Sequence, residues 1–290
     1  MIEPKLTVVT VTKGRKHWNN YMRHIKRLRE IYEHQFKLVI LDNSSYEEYL
    51  KKVNMFKEFM PSYYSKDTVF HNLESFIKCR NCQSTFVETE FMTILDDDDQ
   101  LVETFLDTFE FLHTNYPDAD YFNLCKVKKG QKYYPRQKTC VLPNLYDDPS
   151  WNYHDEALMW NFYRFDHYSE DKMTKIYPIN GYCIFKTALY ERVGQTLTTL
   201  VDDCYPMMKL LLEAKQVVNV SLPWQIYETQ NNFMSDAGRA EEYDEAFYIQ
   251  LHKLSTEYPG SKLVHLQIEN LVKLFKSQFN MEPPKLSSLL

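Results

Sequence analysis

From residue 6 the chain alternates short apolar runs with longer stretches in which apolar residues recur every three or four positions. "LTVVTVT" (6–12), "FKLVIL" (36–41) and "FMTIL" (91–95) predict buried strands. Between the first two, Trp18, Met22, Ile25, Leu28 and Tyr32 fall on one helical face. Tyr46, Leu50, Val53 and Phe56 predict a second helix after the turn signal "DNSS". "LESFIKCRNCQSTFVE" (73–88) predicts a third, and "LVETFLDTFEFLHTNYP" (101–117) a fourth that Pro117 stops. Such alternation implies an α/β fold, a mainly parallel sheet flanked by helices.

The rhythm breaks near Asp120. Residues up to about Tyr177 are aromatic and irregular, with prolines at 135, 143 and 149. Order returns as a strand and helix in "INGYCIFKTALYERVG" (179–194) and as a further helix in "CYPMMKLLLEAK" (204–215). Val264, Ile268, Leu271, Val272, Phe275 and Phe279 form an apolar helical stripe that packs on the sheet or on a second copy of the chain, a homodimer through C-terminal helices. These changes divide the chain at 1–119, 120–235 and 236–290, the last a C-terminal helical segment.

Composition adds limits. The net charge of -6 speaks against sequence-indifferent nucleic-acid binding by the whole surface, while leaving room for a local basic groove. The start carries no secretory pattern, and no run approaches the roughly 18 apolar residues of a spanning helix. Six cysteines show no disulfide framework, and the Cys79–Cys82 pair lacks a second pair at zinc spacing. The expectation is a reduced protein without a transmembrane segment in the cytoplasm, or in the host cytoplasm if viral.

The stretch "FMTILDDDDQL" (91–101) sets four aspartates against the end of an apolar strand. Two unit charges 4 Å apart repel by about 4 kcal/mol near a protein surface, so something must offset them. If the extended geometry persists, Asp96 and Asp98 point to one side and Asp97 and Asp99 to the other. Carboxylates spaced i, i+2 at the carboxyl end of a parallel strand can hold Mg²⁺ or Mn²⁺ against a diphosphate. The plainer alternative has Asp98 or Asp99 cap the following helix, which uses one aspartate and leaves three.

The order of "VVTVTKGR" (8–15), "LVILDNSS" (38–45), "HNLESFIKCRN" (71–81), "FMTILDDDDQL", "INGYCIFKTALYERVG" and "TLVDDCYPMMKLL" resembles the inverting glycosyltransferases of the GT-A fold, the large family-two type. The resemblance implies a Rossmann-like nucleotide-sugar-binding half over 1–119 and an acceptor-binding half over 120–235. It places Thr10, Thr12 and Arg15 in the nucleotide pocket and has Asp42 accept a hydrogen bond from the base, most often uracil. Arg80 and Asn81 then approach the nucleotide or its phosphates. Asp96 and Asp98 match the ends of the Asp-x-Asp metal motif, with Asp97 between them and Asp98 as the direct ligand of Mn²⁺ or Mg²⁺. Asp203, or Asp202, matches the catalytic base. Plainer roles stay open: Asp42 with Ser44 and Ser45 could cap a helix, Arg80 could be solvated, and Asp202 and Asp203 could cap the helix after them. Two departures stand out: Gln230 sits where the family often has His, and the acidic pair is Asp-Asp where Glu-Asp is usual.

The implied reaction moves a sugar from a nucleotide diphosphate sugar, UDP-sugar foremost, to an acceptor hydroxyl. "KVKKGQKYYPRQK" (126–138), with Lys126, Lys128, Lys129, Lys132, Arg136 and Lys138, and "WNYHDEALMWNFYRFDHY" (151–168) suit phosphates and sugar or base rings, or equally a solvated hairpin over an aromatic mini-core. The sharpest acceptor is a hydroxymethylated pyrimidine in DNA, as in glycosyltransferases by which some phages mask their genomes. The broader one is a glycan or lipid-linked acceptor of cell-surface polysaccharide synthesis. A sugar nucleotidyltransferase would show a Gly-rich loop where "VTVTKGRKHW" has only Gly14. A binding protein without catalysis would not need the acidic pair.

Overall fold

The computed structural model describes residues 3–13, 16–128, 140–143, 183–193, 204–227 and 240–261, with short helical pieces at 264–265, 268–269, 272 and 276. Its first strand, β1 (Leu6–Thr12), is buried along its whole length. Leu6 and Val8 enter the core on one face of the sheet and Val9 and Val11 the core on the other, as the two-residue period of a strand requires. Parallel to it run β2 (Lys37–Asp42) on one side and β4 (Phe91–Ile94) on the other, with β3 (Thr68–Asn72) beyond β2. This register brings Thr12 level with Asp42, and Asp42 level with Asn72, at one carboxyl edge.

Beyond β4 the sheet becomes mixed. β5 is Gln100–Leu101, β6 Tyr121–Lys128, β7 Cys140–Pro143, β8 Cys183–Lys186 and β9 Gln216–Tyr227. Among the described residues the sheet has nine strands, in the order β3-β2-β1-β4-β8-β6-β9-β5, with β7 also on β9. β8 is antiparallel to β4 and β6, whereas β6 and β9 are parallel. Helices α1 (Trp18–Tyr32), α2 (Tyr46–Phe59) and α4 (Phe105–Asn115) contribute Trp18, Ile25, Phe56 and Phe105 to the core on one face. α3 (Phe76–Asn81), α5 (Thr187–Val193), α6 (Cys204–Glu213) and α7 (Ala240–Glu257) contribute Cys79, Leu189, Met208 and Leu251 to the other. The result is the helix–sheet–helix sandwich of an α/β protein.

Several boundaries differ from the sequence expectation. α1 buries all five of its predicted apolar residues. α2 buries Val53 and Phe56 of its predicted stripe together with Lys52, while Tyr46 and Leu50 are 66% and 40% exposed. Its inner face is turned toward Lys52 because that ammonium finds a carboxylate there. The third predicted helix shortens to α3 plus a 3-10 turn at Ser84–Phe86. The fourth starts only at Phe105, because Gln100 and Leu101 pair with β9. β6 and β7 occupy part of the region read as irregular.

From the C-terminal stripe, Val264 is in the α6–α7 core and Ile268 and Val272 pack against it, so these three cover the chain's own sheet face. Leu271, Phe275 and Phe279 lie outside the residues whose packing is described. Among the described residues no helix is long and apolar enough to cross a membrane.

Candidate active site

The carboxyl edge of β1, β2 and β4 gathers most of the described candidate residues. Thr10 is fully buried and accepts a hydrogen bond from the Tyr21 hydroxyl at 2.8 Å, which ties α1 to the strand. Two residues on, the Thr12 hydroxyl donates to Asp97 Oδ2 at 2.6 Å. Strand and acidic segment are thereby joined.

The four aspartates do not continue the strand. After Leu95 the chain turns, and the Asp99 N–H donates to the Asp96 carbonyl at 3.1 Å. The alternation expected of extended backbone is therefore replaced: Asp97 reaches back to Thr12, while Asp96, Asp98 and Asp99 each offer an oxygen within 4.8 Å of the others. The capping alternative also falls away, since α4 begins at Phe105 with Thr104 at its cap position. Among the described residues this is the only group of three or more acidic, histidine or cysteine side chains close enough to share an ion.

The repulsion is offset in two visible ways. Arg80 Nη2 lies 2.8 Å from Asp96 Oδ1, with its guanidinium 4.9 Å from the centre of the Phe76 ring. Asp97 has its carboxyl pushed up to about 6, by burial first and then by the charges of Asp98 and Asp96, against the Thr12 hydrogen bond that favours the ionised form. The site fits a third, a hard divalent cation: its donors are all carboxylate oxygens, as Mg²⁺ and Mn²⁺ prefer. Ligands on opposite sides of Mg²⁺ stand roughly 4 Å apart, a span this group can reach. Cys79, by contrast, is a buried free thiol pushed up to about 11, mainly by burial, and does not join the group.

Asp42 lies at the end of β2 with 1% of its side chain exposed. Its Oδ2 accepts from Lys52 Nζ at 2.7 Å and its Oδ1 from the Ser44 N–H at 2.6 Å and the Ser44 hydroxyl. Asn72 Nδ2 holds the same turn by donating to the carbonyls of Asp42 and Ser44 at 3.2 and 3.1 Å. The helix-cap alternative belongs to Ser45, whose hydroxyl accepts the Glu48 N–H at the start of α2.

Arg80 and Asn81 end α3, and the Tyr190 hydroxyl from α5 donates to the Arg80 carbonyl at 3.1 Å. Arg80 reaches the acidic turn, and Asn81 is exposed. Arg15, Lys129, Lys132, Arg136, Lys138, the stretch 151–168, Asp202, Asp203 and Gln230 lie outside the described residues, as do the side chains of Lys126 and Lys128. α6 begins at Cys204, directly after the acidic pair, and the N–H of Tyr205 goes to Gln250 Oε1 of α7 at 3.0 Å.

Sequence reasoning missed Lys52 and β9. The first would be legible only as a lysine sharing a helical face with Val53 and Phe56. β9 supplies Gln225, whose Nε2 donates to the Ile94 carbonyl at 2.6 Å, just before the turn. A glutamine so far along the chain carries no local signal of that role.

No protein-family model matches the sequence, and no curated protein matches it. Solved structures share its fold at low identity. TarS of S. aureus superposes with a TM-score of 0.60 at 15% identity over 96% of this chain, which spans 44% of the TarS chain. Residues 1–349 of TarS in complex with UDP-GlcNAc give 0.60 at 15% identity, covering 96% of this chain and 73% of that one. The mannosyltransferase PcManGT from Pyrobaculum calidifontis, in complex with GDP-Man and Mn²⁺, gives 0.59 at 13% identity over 99% and 79%. The α/β fold expected from the sequence is the fold of these structures.

Proposed function

We propose that the chain is a metal-dependent, inverting glycosyltransferase that moves a sugar from a nucleotide diphosphate sugar, with UDP-sugar as the donor, to an acceptor hydroxyl. The observation that carries this reading is the turn that converges Asp96, Asp98 and Asp99 beside Arg80 at the carboxyl edge of β1, β2 and β4. Ligands of open α/β sheets bind at such edges. The fold likeness to a structure with UDP-GlcNAc and to a mannosyltransferase with GDP-Man and Mn²⁺ supports it further.

On this reading Asp98 and Asp96, with Asp99, hold Mn²⁺ or Mg²⁺. When bound, that ion neutralises charge on a leaving diphosphate. Arg80 adds a fixed positive charge beside Asp96, and Thr10 and Thr12 line the floor under the nucleotide. Asp42 serves by fixing the turn at 42–45 beside the base, since its own oxygens are taken by Lys52 and Ser44. Asp203, or its neighbour Asp202, accepts the proton of the acceptor hydroxyl as that oxygen bonds to the anomeric carbon. The bond from that carbon to the diphosphate oxygen breaks on the opposite face, which inverts the centre. Such base assistance contributes about 10²–10⁴-fold. The acceptor proposed in sharpest form is a hydroxymethylated pyrimidine in DNA, which the basic and aromatic residues of 126–168 would suit; a glycan is the broader form.

The test is nucleoside diphosphate release from a panel of UDP- and GDP-sugars with Mn²⁺, with hydroxymethylated oligonucleotide and glycan acceptors in separate arms. Wild-type protein should release the diphosphate only with metal, and Asp98→Ala should lose both metal dependence and turnover. Asp203→Asn should keep donor binding and lose transfer. A wild-type chain that binds no donor overturns the reading.

A further inference from the structure

Among the described residues Lys52 is the one lysine withdrawn from solvent altogether. The reaction proposed above gives it nothing to do. A buried ammonium is tolerated only when paired and hydrogen-bonded, and the Asp42 carboxylate at 2.7 Å meets that need. Lys52 nevertheless makes a second contact, donating to the Thr12 hydroxyl oxygen at 3.1 Å. Its ammonium also lies 5.5 Å from the Trp18 ring, whose indole is buried.

A hydroxyl that accepts from lysine has one proton of its own to give. Thr12 gives it to Asp97 Oδ2 at 2.6 Å. A directed chain of hydrogen bonds therefore runs from α2, through the end of β1, into the acidic turn. Its last link holds the Asp97 carboxylate toward β1, while Asp96, Asp98 and Asp99 of the same turn lie close enough to one another to share an ion.

We infer that Lys52 is a positioning residue for the ion-holding turn, acting through Thr12 and Asp97. The inference rests on the metal role proposed above. A lysine that merely neutralised Asp42 would leave ion affinity untouched when Lys52 and Asp42 are replaced together and the Thr12–Asp97 hydrogen bond stays.

The experiment titrates Mn²⁺ into the full chain without donor, by calorimetry, alongside thermal unfolding of each variant. Thr12→Val removes the relay and keeps the Lys52–Asp42 pair. Lys52→Met is combined with Asp42→Asn, so that no carboxylate is stranded and Ser44 keeps its acceptor. Partners behind metal ligands typically change affinity about 10- to 100-fold, and because Asp97 neighbours the ion-holding carboxylates without being one of them, both variants should weaken Mn²⁺ binding by about tenfold, the low end of that range. The triple variant should lose no more than either, because one chain has been cut twice. Thr12→Ser, which retains the hydroxyl, should bind as wild type.

Wild-type affinity in Thr12→Val or in a folded Lys52→Met/Asp42→Asn protein overturns the inference, as do losses that add in the triple variant. Should the Lys52→Met/Asp42→Asn protein fail to fold, equal affinity in Thr12→Val and Thr12→Ser still overturns the inference. A wild-type chain that takes up no Mn²⁺ sinks the functional reading together with this one; normal uptake with unaffected variants sinks this one alone.

Discussion

Lys52 and Asp42 show how a single pair of charges can be costly to break and inexpensive to replace. Both are enclosed by protein, so removing one partner leaves the other ionised without water. Lys52→Met alone should destabilise the fold by about 3–5 kcal/mol, and adding Asp42→Asn should recover most of that loss. Urea unfolding of the two variants checks it; equal stabilities would show that the pair is not the buried unit described. Asp42 was legible in the sequence because it ends an apolar strand at a polar turn. Lys52 was not, since a lysine on an amphipathic helix normally marks the solvent face. Arg80 and Asp96 were each legible singly. Their ion pair joins residues sixteen positions apart on separate elements, and no local pattern encodes it.

The acidic turn owes its shape to what holds the segment after it. Leu101 is drawn into the sheet by β9, and its N–H donates to His24 Nε2 on α1 at 3.0 Å. Burial, and then the charge of Arg27, lower the His24 pKa to about 4. A protonated ring would turn that acceptor into a donor facing a donor. The sign follows: the unfolded chain takes up a proton from about pH 6.5 downward, while the folded chain resists until about 4. Stability should therefore fall as pH drops from 6.5 to 4, by up to roughly 3 kcal/mol from this group. His24→Gln offers an amide oxygen that does not titrate, and it should flatten that part of the profile in urea unfolding at a series of pH values. A variant profile as steep as wild type would assign the slope to other groups. The strongly apolar strands β1, β2 and β4 were legible by their runs. β3 was missed as an edge strand whose burial is mostly partial, and β6 as a strand in a stretch whose aromatic and basic residues read as irregular.

At the scale of the molecule, one sheet is covered on both sides by helices from distant parts of the sequence. Leu251 and Leu254 of α7 are buried in the same core as Met208 and Leu211 of α6. Leu254→Ala should cost about 2–5 kcal/mol, read from the shift of the denaturant midpoint. A chain cut after residue 235 would bare that face, and it should lose its cooperative thermal transition. Cooperative unfolding of the shortened chain would show that the C-terminal segment is dispensable to this core. The α/β class was legible from alternation alone, whereas the reversal of β8 and the placement of β9 depend on contacts across the whole chain.

β9 also holds both ends of the acidic loop. Gln225 grips Ile94 on one side of the loop, and the neighbouring Trp224 carbonyl takes the Val102 N–H on the other, at 2.9 Å. Adjacent residues of a single strand thus clamp the chain both before and after the loop. A substitution that displaces this stretch of β9 would therefore carry both ends of the loop with it, so Gln225→Ala should disturb the acidic cluster while every carboxylate stays in place.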